Sequence, residues 1–204
     1  MGNADWVLRR NYCRNPSFET VTYYWNAYSA SSVVTRDNVA GFDGSWTQRV
    51  TRATTTGNPA TMLDQVTVSP GHSWCFSTHF KAYAATPDGA CWCRLEWKDA
   101  AGATIATANG VTATTAPGLW TRASISASAP PGSVGVRAIA LGGSCNAGEG
   151  FYIDGFLLEN DGQLGPYFDG NTPNAKWSGT AGESESILAE PAIAISNNTR
   201  HRRP

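Results

Sequence analysis

Charge is scarce in this chain: 15% of its 204 residues are Asp, Glu, Lys or Arg, and the formal net charge is −1. Such a balance leaves no broad basic face for a polyanion. The one basic cluster, TRHRRP at the extreme C-terminus, reads as a solvated tail, so no nucleic-acid partner is expected. Long apolar runs are also missing. No stretch approaches the roughly 18 apolar residues of a membrane span, and the opening MGNADWVLRRNYCRNPSFE lacks the apolar core of about 7–15 residues that a secretion signal carries. The expectation is a chain made and kept soluble, without membrane insertion. The Met-Gly start is no myristoylation signal, because Trp6 stands where Ser or Thr is required. Catalytic signatures are absent too: no GxSxG elbow, no HExxH, no Gly-rich phosphate loop followed by Lys, and no His beside an obvious nucleophile. A glycosidase needs two carboxylates facing each other across a cleft, and the candidates Asp43, Glu96, Asp154 and Asp169 are scattered along the chain. No enzyme activity is expected.

What the chain does have is Gly, Ser, Thr, Ala and Trp, the balance of a β-protein with many tight turns. No amphipathic helical pattern persists for three turns. Between Thr47 and Glu159 run TQRVTR, MLDQVTV, SWCFSTHFKAY, CWCRLEWKD, TIATANGVTA, WTRASISAS, SVGVRAIAL and GFYIDGFLLE, separated by turn formers such as SPGH, TPDGA, DAAGA and APPG. Many short strands without intervening helices predict an all-β sandwich of two antiparallel sheets, and the length suits one large domain.

Side chains two apart lie on one side of a strand. In SWCFSTHFKAY this places Trp74, Phe76 and Phe80 in the core and turns Cys75, Ser77, His79, Lys81 and Tyr83 outward. In CWCRLEW it places Cys91, Cys93, Leu95 and Trp97 inward and Trp92, Arg94 and Glu96 outward. The short turn ATPDGA predicts a hairpin, which would make the two outward sets neighbours. Trp25, Trp46 and Trp120 read as packing residues. Five cysteines leave at least one unpaired. Zinc is disfavoured because Cys91 and Cys93 flank one residue and point away from Cys75 and His79. Buried thiols are the default, with Cys145 as the alternative disulfide partner of Cys91 or Cys93.

The order NPSFE, Trp25, GHSWCFSTHFKAY, RLEWKDAAGATI, LWTRASISASAPPGSVGVRAIA and GFYIDGFLLEN resembles carbohydrate-binding modules of the jelly-roll, galactose-binding-like type, over Asn11 to Asn160. The flanking RNYCRNPSFE and LGPYFDGNTPNAKWSGTAGESES are similar to minor tail proteins of actinobacterial phages, in which a YFDG segment closes a jelly-roll domain. The resemblance implies an N-terminal arm (1–10), a jelly-roll domain (11–162) and a C-terminal extension that serves as an assembly contact (163–204).

A module of this type implies sugar binding on an aromatic and polar surface, here Trp92, Tyr83, His79, Arg94 and Glu96, with Trp92 and Tyr83 covered by a loop or a neighbour as the competing reading. It also implies a structural calcium between the N-terminal segment and the last strand, with Glu19 and Asp154 as the matching carboxylates and Asn15 as a further oxygen. The alternative is that these carboxylates accept backbone hydrogen bonds at a strand crossing. Asp169 lacks a partner set for a metal, and DG and NTP read as turn formers, with Tyr167, Phe168 and Trp177 anchoring the chain's exit against the sandwich or a neighbour. ILAEPAIAIS alternates at Ile193 and Ile195 and suits an edge strand added to a neighbouring subunit, with a disordered terminus, given its Ser, Asn and Arg content, as the alternative. The tail resemblance implies a virion protein facing the host, a homo-oligomer in contact with other phage tail proteins, binding a host cell-wall glycan. A purely structural tail component and a free-standing bacterial module are the alternatives.

Overall fold

The computed structural model describes residues 6–21, 23–54, 57–83, 89–115 and 118–191. Ile193 and Ile195 lie outside the described residues. The described strands are β1 (Trp6–Asn11), β2 (Trp25–Ala27), β3 (Ser32–Asp37), β4 (Thr47–Arg52), β5 (Ala60–Leu63), β6 (Val66–Thr67), β7 (Ser73–Tyr83), β8 (Ala90–Lys98), β9 (Thr104–Asn109), β10 (Ala113–Thr114), β11 (Thr121–Ser128), β12 (Gly135–Gly142), β13 (Gly150–Glu159), β14 (Ala175–Trp177) and β15 (Ser186–Pro191). One sheet runs β11-β7-β13-β4-β3. A larger one runs β10-β8-β12-β5-β2, with β6 on β12 and β9 on β8. The two form an all-β jelly-roll sandwich. A third, small sheet runs β1-β15-β14.

The inward sets predicted from alternation meet across the sandwich. Trp74, Phe76 and Phe80 of β7 join Phe151, Ile153, Phe156 and Leu158 of β13, and all face Cys91, Cys93, Leu95 and Trp97 of β8 and Val136, Ala138 and Ala140 of β12. Each large side chain so buried contributes on the order of 1.5–3 kcal/mol. Trp25 joins this core at 4% exposure, whereas Trp46 and Trp120 are half-buried. Inward positions at both 153 and 156 break the strand alternation. The break is a register shift in β13 between Asp154 and Leu157, made at Gly155 with φ of 63°.

The expected β7–β8 hairpin does not form. β7 pairs with β11 and β13, while β8 pairs with β12, β9 and β10 in the other sheet. Alternation tells which side of a strand is buried. It does not tell which sheet the strand joins, and two strands with bulky inward sets satisfy it equally by facing each other across the core.

The expected N-terminal arm and C-terminal extension meet through their described residues, which pair with each other. β1 and β15 are in register from Trp6↔Pro191 to Asn11↔Ser186. Cys91 and Cys93 are buried thiols whose sulfurs donate to the carbonyls of Ala113 and Ala123, and the Cys145 thiol lies by the carbonyls of Gly57 and Glu149. None of the described cysteines is in a disulfide.

Candidate functional site

The crossover separates the five residues expected to share one surface. Trp92, Arg94 and Glu96 lie on the outer face of the larger sheet, and His79 and Tyr83 on the outer face of the five-stranded one.

On the larger sheet, Arg94 pairs with Ile139 and Asn109, and Trp92 with Leu141. Ala60, Ile139 and Leu141 form a small apolar cluster outside the main core, against which Met62 and the half-buried Trp92 pack. Trp92 is therefore held from behind and partly open in front. Beside it, Arg94 Nε donates to Asn109 Oδ1 at 2.7 Å, and Trp92, Arg94, Asn109, Gly110 and Thr112 line one shallow groove. Asn109 was not singled out from sequence. Its signal was the polar alternation of TIATAN, legible only once β9 is known to pair with β8.

Glu96 differs from its neighbours. It is 5% exposed, and its Oε1 accepts hydrogen bonds from Lys98 Nζ and Thr104 Oγ1. Burial pushes its pKa up, but these bonds and the Lys98 charge outweigh burial and leave it below the usual carboxylate range. It is a partner of the buried Lys98 rather than an open sugar contact.

The opposite face is largely covered by the chain itself. Cys75, Ser77 and His79, expected outward and open, are buried. The Phe42 ring stacks on His79 with centroids 3.5 Å apart and planes at 8°, and Tyr167 meets Phe42 edge-on at 5.9 Å. Arg122 bridges Ser77 Oγ and the Gly165 carbonyl, each at 2.8 Å. Burial lowers the His79 pKa to about 4, with the Arg122 charge acting in the same direction. Tyr83 sits beyond this cover, edge-on to Tyr152 at 5.2 Å, and its hydroxyl accepts from Arg49 Nη1 at 3.2 Å.

The residues expected as assembly contacts pack within the chain. Phe168 is fully buried with Leu157 and Leu188, under the Arg9 guanidinium at 4.8 Å. Trp177 lies over Gly170, and its Nε1 donates to Asn171 Oδ1 at 3.1 Å. Asp169 closes a turn as expected: its Oδ1 accepts from the Asn171 amide at 2.8 Å.

Glu19 and Asp154 grip one loop, residues 41–46. Glu19 Oε1 accepts from the Ser45 and Trp46 amides at 2.9 and 2.8 Å, and Asp154 Oδ2 from the Asp43 amide at 3.0 Å. These are the backbone bonds of the alternative reading. Other oxygens of the loop lie close to the same carboxylate. A Cβ on Gly41 would lie 2.5 Å from Asp154 Oδ2, 2.8 Å from Trp46 O and 3.0 Å from Asp43 O, so three oxygens converge on space that this glycine leaves open. Oxygen-only donors including a carboxylate suit calcium. Among the described residues no three His, Cys, Asp or Glu side chains converge to hold an ion, so backbone carbonyls would have to supply most of the shell. Asn15, expected to offer an oxygen, donates Nδ2 to the Val21 and Tyr23 carbonyls, and its Oδ1 is buried without a hydrogen-bond partner among the described residues. The carboxylates read as scattered are partly gathered here: burial raises the pKa of Asp43, Asp154 and Asp169, and Asp43 feels the charge of Asp169 and in turn acts on Asp154.

No protein-family model matches the sequence, and no curated protein matches it. Solved structures do. The CBM22-1 xylan-binding domain of Paenibacillus barcinonensis Xyn10C is similar at 18% identity with a TM-score of 0.57, over 74% of this chain and 91% of that one. The C-terminal family 22 carbohydrate binding module of Clostridium thermocellum Xyn10B is similar at 16% identity with a TM-score of 0.59, over 76% and 96%. The enzymatically active domain of tailspike protein 4 of bacteriophage CBA120 is similar at 14% identity with a TM-score of 0.53, over 72% of this chain and 21% of that one. At these identities the likeness is one of fold.

Proposed function

We propose that this chain is a non-catalytic, glycan-binding component of a phage tail, and that it presents the outer face of the larger sheet to a host cell-wall glycan. The observation that carries the reading is the pairing of Trp92, backed by its own apolar cluster, with Arg94, fixed by Asn109 on the same groove. An aromatic surface that cannot rotate away supplies apolar area for a pyranose face. A guanidinium already oriented supplies donors to its hydroxyls at a low ordering cost. The similar structures include a xylan-binding domain and a family 22 carbohydrate binding module, which supports the class of ligand.

The tail assignment draws on the flanking motifs, RNYCRNPSFE and LGPYFDGNTPNAKWSG, and on the likeness to a phage tailspike domain. In a virion, repeated copies of the chain alongside other tail proteins raise the avidity of a weak sheet-face site. A calcium ion at the 41–46 loop belongs to the same proposal, with Asp154 and the carbonyls of Asp43 and Trp46 as donors and Glu19 holding the loop in place. When bound, the ion offsets the charge of the buried Asp154 carboxylate.

The test is intrinsic Trp fluorescence with a panel of wall polysaccharides and soluble xylan. Wild type is expected to respond, and Trp92→Ala and Arg94→Ala to lose the response while keeping the circular dichroism of the folded protein. An unchanged response in both variants would overturn the sheet-face site. No response of the wild type to any glycan would favour a purely structural tail component.

A further inference from the structure

A second concave surface lies at the edge of the sandwich where the N-terminal segment, the end of β5 and the C-terminal extension meet. Two recesses of about 250 and 350 Å³ adjoin there and share Arg14, Tyr24 and Glu185. The wall contributed by residues 178–185 comes from the extension.

Two exposed guanidinium groups line it, each over an aromatic ring. Arg14 lies over the Tyr24 ring at 5.3 Å and Arg10 over the Tyr12 ring at 5.6 Å, with Tyr12 backed by Trp74 at 5.0 Å. Arg10 is paired with Glu185 at 3.2 Å, whereas Arg14 makes no ion pair among the described residues. Tyr24, which lines both recesses, has φ of 75°, a region that bulky side chains avoid, and its carbonyl accepts from the Asp64 amide at 3.0 Å. Strained residues of this kind persist where the surrounding structure holds them and concentrate at binding sites.

We propose that this groove is a second glycan site, which takes an uncharged sugar chain. A sugar hydroxyl donates and accepts at once. It is best matched by neighbouring groups that only donate, here Arg10 and Arg14, and groups that only accept, here the carboxylates of Asp64, Glu183 and Glu185. Two cations beside three anions give no strong field of either sign, which disfavours a polyanionic chain. The recesses together fall in the size range of small-ligand clefts, roughly 300–1,000 Å³. The site stands on residues distinct from those of the sheet face.

Amide NMR of the full chain, titrated with xylohexaose and cellohexaose and, separately, with an oligogalacturonate as anionic counterpart, tests it. Saturating shifts are expected at Arg14, Tyr24, Asp64 and Glu185 with a neutral hexasaccharide. Arg14→Ala and the isosteric Asp64→Asn should each weaken binding at these amides about tenfold or more, and Trp92→Ala should leave it unchanged. Shifts at Trp92 with a silent groove would overturn the second site and leave the sheet-face reading standing. Shifts in the groove with Trp92 silent would do the reverse, and binding of the galacturonate alone, or of no probe, would overturn the groove proposal.

Discussion

The side-chain amide of Asn11 donates to the Phe168 carbonyl at 3.1 Å, joining the two sequence segments that flank the sandwich. The same amide donates to the Phe156 carbonyl, and Asn11 Oδ1 accepts from the amides of Cys13 and Leu158. One fully buried side chain thus ties the N-terminal segment, β13 and the YFDG segment. Asn11→Ala leaves four buried backbone groups without that partner, and each such group costs about 1–3 kcal/mol. A loss of at least about 3 kcal/mol is expected in urea unfolding, with the slope unchanged; a midpoint close to wild type would contradict it.

Residues 163–204 should contribute to stability well beyond this one side chain. The extension buries Phe168 against Leu157 and supplies the Gly165 carbonyl to Arg122. Without it, β1 loses β15, and part of the cover over Ser77 and His79 is gone. The truncated chain is expected to melt lower by more than about 5 °C, since each kcal/mol shifts a domain of this size by about 2–4 °C, and to bind ANS. A truncated chain with wild-type melting and no dye binding would mean that the extension is an appendage after all.

Much of this was legible in the sequence. Alternation in SWCFSTHFKAY and CWCRLEW picked out the inward residues of β7 and β8, and the bounds of β7 and β13 coincide with the predicted runs. Asp169 reads as a turn former in both. What alternation does not carry is the partner of each strand. Hence alternation alone groups His79 and Tyr83 with Trp92, Arg94 and Glu96, although they lie in different sheets of the sandwich. The burial of His79 depends on Phe42 and Tyr167, which are distant in sequence and belong to no strand, so no local pattern marks it. The short strands β2 and β14, three residues each, are too brief to show a period.

Glu96 offers a test in pH. Its folded pKa is depressed, burial being outweighed by the hydrogen bonds from Lys98 and Thr104. A depressed carboxylate adds stability above its unfolded value of about 4.3 and loses it as pH falls through the folded value. Glu96→Gln should therefore cost about 1.5–3 kcal/mol at neutral pH, the range for hydrogen bonds to charged groups. The gap between wild type and variant should close as pH falls below the usual carboxylate range. Melts recorded from neutral to acid pH check this, and a gap independent of pH would rule out the ionised pair as its source.

Gly41 separates a calcium cradle from a simple loop clasp. A ligand that binds only the native state must raise its stability, so wild-type melting should rise with calcium and fall with chelator if the oxygens of Asp154, Trp46 and Asp43 hold an ion. Gly41→Ala places a methyl group 2.5 Å from Asp154 Oδ2, within the space where these oxygens converge. The substitution lowers stability by itself, which is why the readout is the response to calcium rather than the melting temperature. Gly41→Ala is expected to melt at one temperature with or without calcium. Asp154→Asn, which keeps the size of the side chain but not its charge, should lose most of the response. If chelator leaves the wild-type melt unchanged, Glu19 and Asp154 serve only to hold the 41–46 loop through its backbone amides, and the calcium assignment fails.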